Sequence, residues 1–304
     1  MRPALLHDFG HSEPPAPPDG AGVGWHATAA YAATTVLRSG VSDEVPAPAA
    51  GVLLAGGRSV RMGTAKAHLT WHGDTLLGRT AALLDRVTTV GVVVVRAPGQ
   101  QLPALPTGVV VVDDPVEGLG PLQGLAVGLA AAAALGARTA FVCSTDLPFL
   151  HTAYMRRVLA LHAGYDVALP VVRGFRQPLA AAYGTHLAGL CAELVGQGHR
   201  KPAFLFDACR TLRLDEEALL ADAALAAGDP QLDSVININT PQDYADALAR
   251  PAPLVTVEPG GRAPRSWTVA GLALSPQART VVDGRLCSPA FPLVARDVVH
   301  VLDA

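Results

Sequence analysis

Between Ala50 and Leu248, short apolar or β-branched runs alternate with stretches of helical periodicity, and this alternation admits few architectures. The runs Ala50–Leu54, Val90–Val95, Val109–Val112, Thr139–Cys143, Val167–Val171, Leu179–Tyr183 and Val235–Ile238 read as buried strands. Leu76–Val87, Pro121–Leu135 and Thr152–Leu161 read as helices, and another helix opens at Pro241. Pro121 falls in a first helical turn, where the missing N–H would have no intrahelical partner anyway. Strands separated by helices connect by right-handed crossovers. The expectation is therefore an α/β fold: a Rossmann-like, mostly parallel sheet with helices on both faces. Ligands of such sheets sit beyond the carboxyl ends of the strands.

The flanks have a different texture. Residues 1–48 carry Pro14-Pro15-Ala16-Pro17-Pro18 and Val45-Pro46-Ala47-Pro48, and read as a poorly ordered extension with room for a short helix over Gly24–Leu37. After the 49–250 domain, Pro251-Ala252-Pro253 forms a linker. Leu254–Val257, Ser266–Val269, Thr280–Val282 and Val298–Leu302 then read as strands, which makes 251–304 a small β-rich appendage.

Half of the residues are hydrophobic, 16% are charged and the net charge is −3 with no basic run, which disfavours nucleic acid as a partner. Cys143, Cys191, Cys209 and Cys287 form no C-x-x-C pair, so reduced thiols are expected, not disulfides or a zinc site. His7 and His11 have helical spacing but no third ligand, and His68, His72, His162, His186 and His199 show no ligand spacing. The N-terminus lacks the apolar core of a signal peptide. Gly118–Ala137 is free of charge, yet it is rich in Gly and Ala and holds Pro121 and Gln123, so a buried helix is expected and no membrane span. A cytoplasmic location follows as the expectation.

Several motifs carry chemistry. The first strand ends in Gly56-Gly57, followed by Arg58, Arg61 and Lys66. Glycines let backbone N–H groups converge on one anion, and the cations add donors, so a phosphate site outweighs a solvated turn. The spacing fits neither the dinucleotide fingerprint nor the Walker loop. Asp113-Asp114-Pro115, ahead of Gly118–Gly124, could accept from a purine's N–H edge, or simply make a turn. Asp146 follows a strand and precedes Leu147-Pro148, where it could bind Mg²⁺ or serve as a turn residue. Arg176-Gln177 and Arg200-Lys201 offer polar and cationic groups for an anionic acceptor, or an exposed turn and helix-end charges. Asn237 and Asn239 fall on one face of the last strand, before a Thr240-Pro241 helix start.

Five segments in this order resemble the molybdenum cofactor guanylyltransferases, a nucleotidyltransferase family, over Ala50–Leu248. They are the glycine loop, Asp113-Asp114-Pro115 with Gly120-Pro121-Leu122-Gln123-Gly124, Ser144-Thr145-Asp146-Leu147-Pro148, Gly174–Leu179, and Asn237-Ile238-Asn239-Thr240-Pro241. The resemblance implies Lys66, Asp146 and Arg61 as catalytic residues. It implies nucleotide contacts at Leu54, Ala55, Gly56, Gly57, Arg58, Lys66, Asp114, Gly120, Pro121, Gly124 and Asp146, with Asp114 reading guanine. It places the acceptor at Arg176, Gln177, Arg200 and Lys201, and Mg²⁺ at Asp146 and Asn239. The implied reaction moves GMP from GTP to the terminal phosphate of molybdenum-bearing molybdopterin and releases pyrophosphate. Molybdoenzymes or molybdenum-insertion proteins are the implied protein partners.

Gly-Pro-Leu-x-Gly favours GTP, since the related cytidylyl enzymes carry a Ser-containing turn. A transferase using CTP, a sugar phosphate or phospholactate is the alternative reading, and a non-catalytic nucleotide sensor is a third. The chain departs from the family at Arg96-Ala97-Pro98, where Asn is frequent. The appendage resembles the β-grasp small subunit of molybdopterin synthase, except that this chain ends Val301-Leu302-Asp303-Ala304 and lacks the Gly-Gly terminus.

Overall fold

The fold comes from a computed structural model that describes residues 48–56, 66–116, 118–259, 265–268, 279–287 and 291–302. The 1–47 extension, with its expected Gly24–Leu37 helix, lies outside the described residues. The strands are β1 Ala49–Leu54, β2 Thr70–Trp71, β3 Asp74–Thr75, β4 Gly91–Arg96, β5 Val110–Asp113, β6 Thr139–Ser144, β7 Val167–Val172, β8 Phe175–Arg176, β9 Ala180–Gly184 and β10 Thr211–Leu214. Helices α1 Leu76–Val87, α2 Pro121–Ala134, α3 Thr152–Leu161, α4 Ala188–Gly196, α5 Ala203–Phe206, α6 Glu216–Leu220, α7 Ala223–Gly228 and α8 Pro241–Ala249 connect or follow them. The appendage contributes β11 Leu254–Pro259, β12 Arg265–Thr268, β13 Arg279–Val282, β14 Arg285–Cys287 and β15 Val298–Leu302.

The main sheet runs β10-β7-β9-β6-β1-β4-β5, with β8 paired to β7. β1 is parallel to β4 and β6, as β4 is to β5 and β10 to β7. β9 is antiparallel to both of its neighbours. The chain between Val172 and Ala180 is too short for a crossover, which needs about a dozen residues, so it returns as a hairpin.

Every residue of β1 is buried, and its alternation feeds two cores. Leu53 packs with Leu77, Leu84, Phe141 and Tyr154 toward α1 and α3. Val52 and Leu54 pack with Leu125, Leu129 and Tyr183 toward α2 and α4. A Cβ at Gly128 would come 2.4 Å from Val52 Cγ1, so only glycine lets α2 approach β1 this closely.

One expected strand is not a strand. Asp233–Val235 forms a short 3-10 helix, and residues 236–239 enter no ladder. The Ile238 N–H donates instead to the Asp146 carbonyl at 2.9 Å, which carries this segment past the end of β6. The edge position is filled by β10, whose four residues alternate polar and apolar but make too short a run to stand out as a strand.

The small sheet has the order β12-β11-β15-β13-β14, with β11 and β15 parallel at its centre. Counted within the appendage this is 2-1-5-3-4. Its core is Val255, Val257, Val282, Cys287, Leu293 and Val299. Two arginines of α1 hold it against the transferase sheet. Arg86 donates from both Nη atoms to the Asp297 carboxylate at 2.8 and 2.7 Å, and from Nη2 to Asp283 at 2.8 Å. Arg79 Nη2 donates to the Leu293 carbonyl at 2.7 Å. Burial opposes the Arg86 charge, but Asp297 and Asp283 outweigh it and raise its pKa.

Arg86→Met leaves Asp297, 8% exposed, as a buried carboxylate without its bidentate partner. Stability to urea is expected to fall by about 3–5 kcal/mol. Burial would raise the Asp283 carboxyl, but hydrogen bonds and charge from Arg86 and Arg156 outweigh that and hold it below its ordinary range. That contribution is complete above the unfolded pKa of about 3.9 and is lost as pH falls through the depressed value. The acid limb of a stability–pH profile should therefore flatten in Arg86→Met. An unchanged urea midpoint would remove the clamp.

Candidate active site

The carboxyl ends of β1, β4, β5 and β6 share one rim. Asp146 lies two residues beyond β6, and Lys66 opens a short 3-10 turn on the chain that returns from β1. Lys66 Nζ reaches Asp146 Oδ2 at 3.0 Å and Asn239 Oδ1 at 3.1 Å. Asp146 Oδ1 accepts from Asn237 Nδ2 at 3.1 Å and from the Ser144 hydroxyl. The Lys66 and Asp146 side chains are 18% and 16% exposed, so the pair is sheltered yet open to solvent.

Asn239 is held by the start of α8. Thr240 Oγ1 accepts from Asp243 N, while Asp243 accepts from the N–H groups of Asn239 and Thr240, a reciprocal capping box. Those backbone bonds, chiefly from Asn239, lower the Asp243 pKa. Asn237 and Asn239 thus reach the same ion pair without being on a strand. No thiolate is available nearby, since burial, reinforced by the Asp146 charge, pushes the Cys143 thiol far up.

Across the rim, Asp113 pairs with Arg96 at 2.6 Å. Asp114 accepts only the Val116 N–H, at 3.3 Å, among the described residues, and burial raises its pKa. Of the two carboxylates, Asp114 is therefore the one with no ion pair among the described residues.

Residues 51–211 match the family model of the MobA-like NTP transferase domain. The chain belongs to that family. A probable molybdenum cofactor guanylyltransferase of Mycobacterium tuberculosis is 43% identical over 171 residues, 55% of this chain and 83% of that protein. One of Mycobacterium ulcerans is 40% identical over 190 residues, 60% of this chain and 91% of that protein. Molybdopterin-guanine dinucleotide biosynthesis protein A from Archaeoglobus fulgidus shares the fold, with a TM-score of 0.51, 22% identity, and coverage of 65% of this chain and 96% of that one. The protein is a nucleotidyltransferase of the MobA-like class. Among the described residues no helix is long and apolar enough to cross a membrane.

In this MobA-like transferase the residues expected to contact the nucleotide and the acceptor have varied surroundings. Gly57, Arg58 and Arg61 lie outside the described residues. Leu54 lies in the ladder, and the N–H groups of Ala55 and Gly56 both donate to the Val95 carbonyl, at 2.8 and 3.3 Å. The pairing with β4 thus continues past Leu54 and takes up the donors expected to face a phosphate. Gly124 is buried, and a Cβ there would stand 3.3 Å from the Leu54 methyls, so it sets helix-to-sheet spacing.

Arg200 does not group with Arg176. Its Nη1 donates to the Gly118 carbonyl at 2.8 Å, and its own carbonyl accepts from Leu122 N at 3.2 Å. At Gly120, which precedes Pro121, φ is 82° and a Cβ would come 2.8 Å from the Arg200 carbonyl, so this turn requires glycine. Arg200 braces the turn before α2, and its neighbour Lys201 is exposed. Arg176 and Gln177 lie beyond β7, where Gln177 Nε2 donates to the Phe175 carbonyl at 3.2 Å.

Sequence reasoning passed over Ser144 and Gln100. Ser144 was legible as a hydroxyl two residues before Asp146. Gln100 Nε2 donates to the Ala55 carbonyl at 3.0 Å, and its Oε1 accepts from Ala97 N at 2.9 Å. It ties the entrance of the glycine loop to the Arg96-Ala97-Pro98 segment, where the family pattern has Asn. Gln100→Ala should lower kcat/KM for the nucleoside triphosphate roughly tenfold, mostly through KM, because the lost bonds position the loop and take no part in bond breaking. Steady-state kinetics check this; an unaltered KM would contradict the positioning role.

Proposed function

We propose that this protein transfers GMP from GTP to the terminal phosphate of molybdopterin, in molybdenum cofactor biosynthesis. The convergence of Lys66, Asp146, Asn237 and Asn239 at the sheet rim carries the reading. The relatives named for that activity support the choice of substrates. An oxygen of the acceptor phosphate attacks the α-phosphorus in line. A new P–O bond forms, the bond between the α-phosphorus and the bridging oxygen breaks, and pyrophosphate carries away the electron pair. The attacking oxygen is already anionic, so the site needs no strong general base.

The donors at Asp146 are hard oxygens: its own carboxylate, the Ser144 hydroxyl and the Asn237 and Asn239 amides. Among the described residues no group of three or more His, Cys, Asp or Glu forms a metal site. One carboxylate with substrate phosphates suits Mg²⁺, which is seldom held by an all-protein cage. When bound, Mg²⁺ would neutralise charge on the triphosphate oxygens. Asp146 and Asn239 would hold it, and Lys66 now contacts an oxygen of each. In the reaction the Lys66 ammonium exchanges those oxygens for phosphate oxygens and offsets charge at the α-phosphoryl group. Asp114 accepts from the guanine N1–H and N2–H₂.

Asp146→Asn should lower guanylyl transfer by about 10²–10³-fold or more while leaving the urea midpoint in place. Labelled GTP or CTP with purified molybdopterin tests the substrates: transfer from CTP alone overturns the guanylyl reading, and an absence of pyrophosphate release overturns catalysis. Lys66→Ala should weaken transfer and, without nucleotide, tighten Mn²⁺ binding measured by calorimetry, because one cation no longer occupies the oxygens needed by the other. Weaker Mn²⁺ binding in that variant would contradict the shared-oxygen assignment.

A further inference from the structure

Between α1, the loop after β6 and the small sheet lies a cavity of about 330 Å³, at the lower end of small-molecule sites. Trp71, His72, Arg79, Phe149, Arg250 and Ala295 are among its walls; Lys66, Asp146, Asn237 and Asn239 are not. The transferase and the appendage build it together.

Among the described residues every charged side chain around it except Arg79 has either an ion pair or several hydrogen bonds. Arg250 Nη1 donates to Asp233 at 2.6 Å, and its guanidinium lies 4.5 Å from the Phe149 ring centroid. Asp233 also accepts from Arg173 at 3.2 Å. Asp229 accepts from the N–H groups of Asp233 and Ser234 and from the Ser234 hydroxyl. Arg86, whose charge acts on Arg79, is matched by Asp297 and Asp283.

Arg79 is the exception. It is 7% exposed and has no ion pair among the described residues. Its one hydrogen bond goes to the Leu293 carbonyl, and its buried Nε has no partner. Burial, then the Arg86 charge, lowers its pKa to about 10 against the opposing pull of Asp297 and Asp74, so it remains a cation at neutral pH. A buried guanidinium without a counter-ion is costly, and a ligand oxyanion would remove that cost.

His72 stands at the rim of the cavity. Its φ of 49°, with Gly73 at 87°, makes the β2–β3 turn and sets its ring edge-on to Trp71 at 4.9 Å. Burial and the Arg79 charge lower its pKa, which leaves a neutral imidazole able to donate one N–H. Pro148, Phe149 and Val294 add apolar wall.

We propose that this cavity is a second ligand site, separate from the Lys66–Asp146 rim, for a small organic anion whose carboxylate or phosphate pairs with Arg79. The proposal does not depend on the guanylyl reading. Its test uses the full chain carrying Lys66→Ala, so that anions at the catalytic rim contribute less. Benzoate and inorganic phosphate are titrated in turn, with tryptophan emission and unfolding temperature as readouts; Trp71, on the cavity wall, is 3% exposed.

Saturable binding of either probe, weakened roughly tenfold or more by Arg79→Met, supports the site, and the better probe assigns carboxylate or phosphate. No saturable response to either probe, or an equal response in Arg79→Met, overturns it. Should Arg79→Met fail to fold, Ala295→Trp fills the cavity with Arg79 intact. Loss of binding in that variant supports the proposal and unchanged binding overturns it.

Discussion

The parallel pairing of β1 with β6 is the constraint on which the Lys66–Asp146 rim depends. Leu54 lies opposite Ser144, so the two strands leave the sheet side by side. One ends at Leu54 and Lys66 opens the next described segment, and the other reaches Asp146 two residues later. Leu54 also lies opposite Val95, which brings Arg96, Asp113 and Asp114 to the same edge. Burial on both faces fixes this register. A slip of one residue would drive Val52 and Leu54 into the packing of Leu53, and Leu53 into theirs.

What could be read from the sequence was what short-range chemistry encodes. The apolar runs of β1, β4 and β6 and the periodicity of α1 found their elements because burial on both faces or on one stripe is written in consecutive residues. Asp146 was legible because it ends such a run, and α8 because Thr240-Pro241 is a helix start. The antiparallel course of β9 was not legible, since it follows from the length of a connection and not from the strand's own residues. Val235–Ile238 looked like a strand, yet the backbone N–H groups of Ile238 and Asn239 go to the Asp146 carbonyl and the Asp243 carboxylate. Gln100 was missed, and the Gly118 contact of Arg200 was not foreseen, for the same reason. Their partners, Ala55 and Gly118, are distant in sequence and are backbone groups, which leave no mark on side-chain pattern.

Two arginine or lysine–aspartate contacts of similar length serve opposite ends. Arg86 is bidentate to Asp297, its side chain is 1% exposed, and two further acceptors surround it. An exchange of partners there would strand a charge in the interior, so that contact is fixed and structural. Lys66 makes a single bond to each of two oxygens at a solvated rim, where replacing one anion by another leaves little unpaired. The ammonium also carries no planar fork to be matched, so it can follow a moving charge. Burial and geometry, more than residue type, separate the clamp from the Lys66–Asp146 pair.

The placement of Lys66 opposite Asn239 has its own cause, away from the sheet. The Leu69 N–H donates to the Lys66 carbonyl and the Leu76 N–H to the Leu69 carbonyl, which ties the lysine turn to the β2–β3 hairpin and the start of α1. Trp71 and Leu76 from that side pack with Ile238 and Ala247 from the α8 side. Tyr244 of α8 donates to the Thr70 carbonyl at 2.6 Å. The hairpin and α8 therefore form one body with a common apolar centre, and from its two halves Lys66 and Asn239 meet each other beside the Asp146 carboxylate that Lys66 also contacts. A lysine on a loop would ordinarily lose several rotatable bonds' worth of freedom when it pairs. Here the turn at its root is already ordered by packing that involves no charge, so the ion pair has only the side chain to fix.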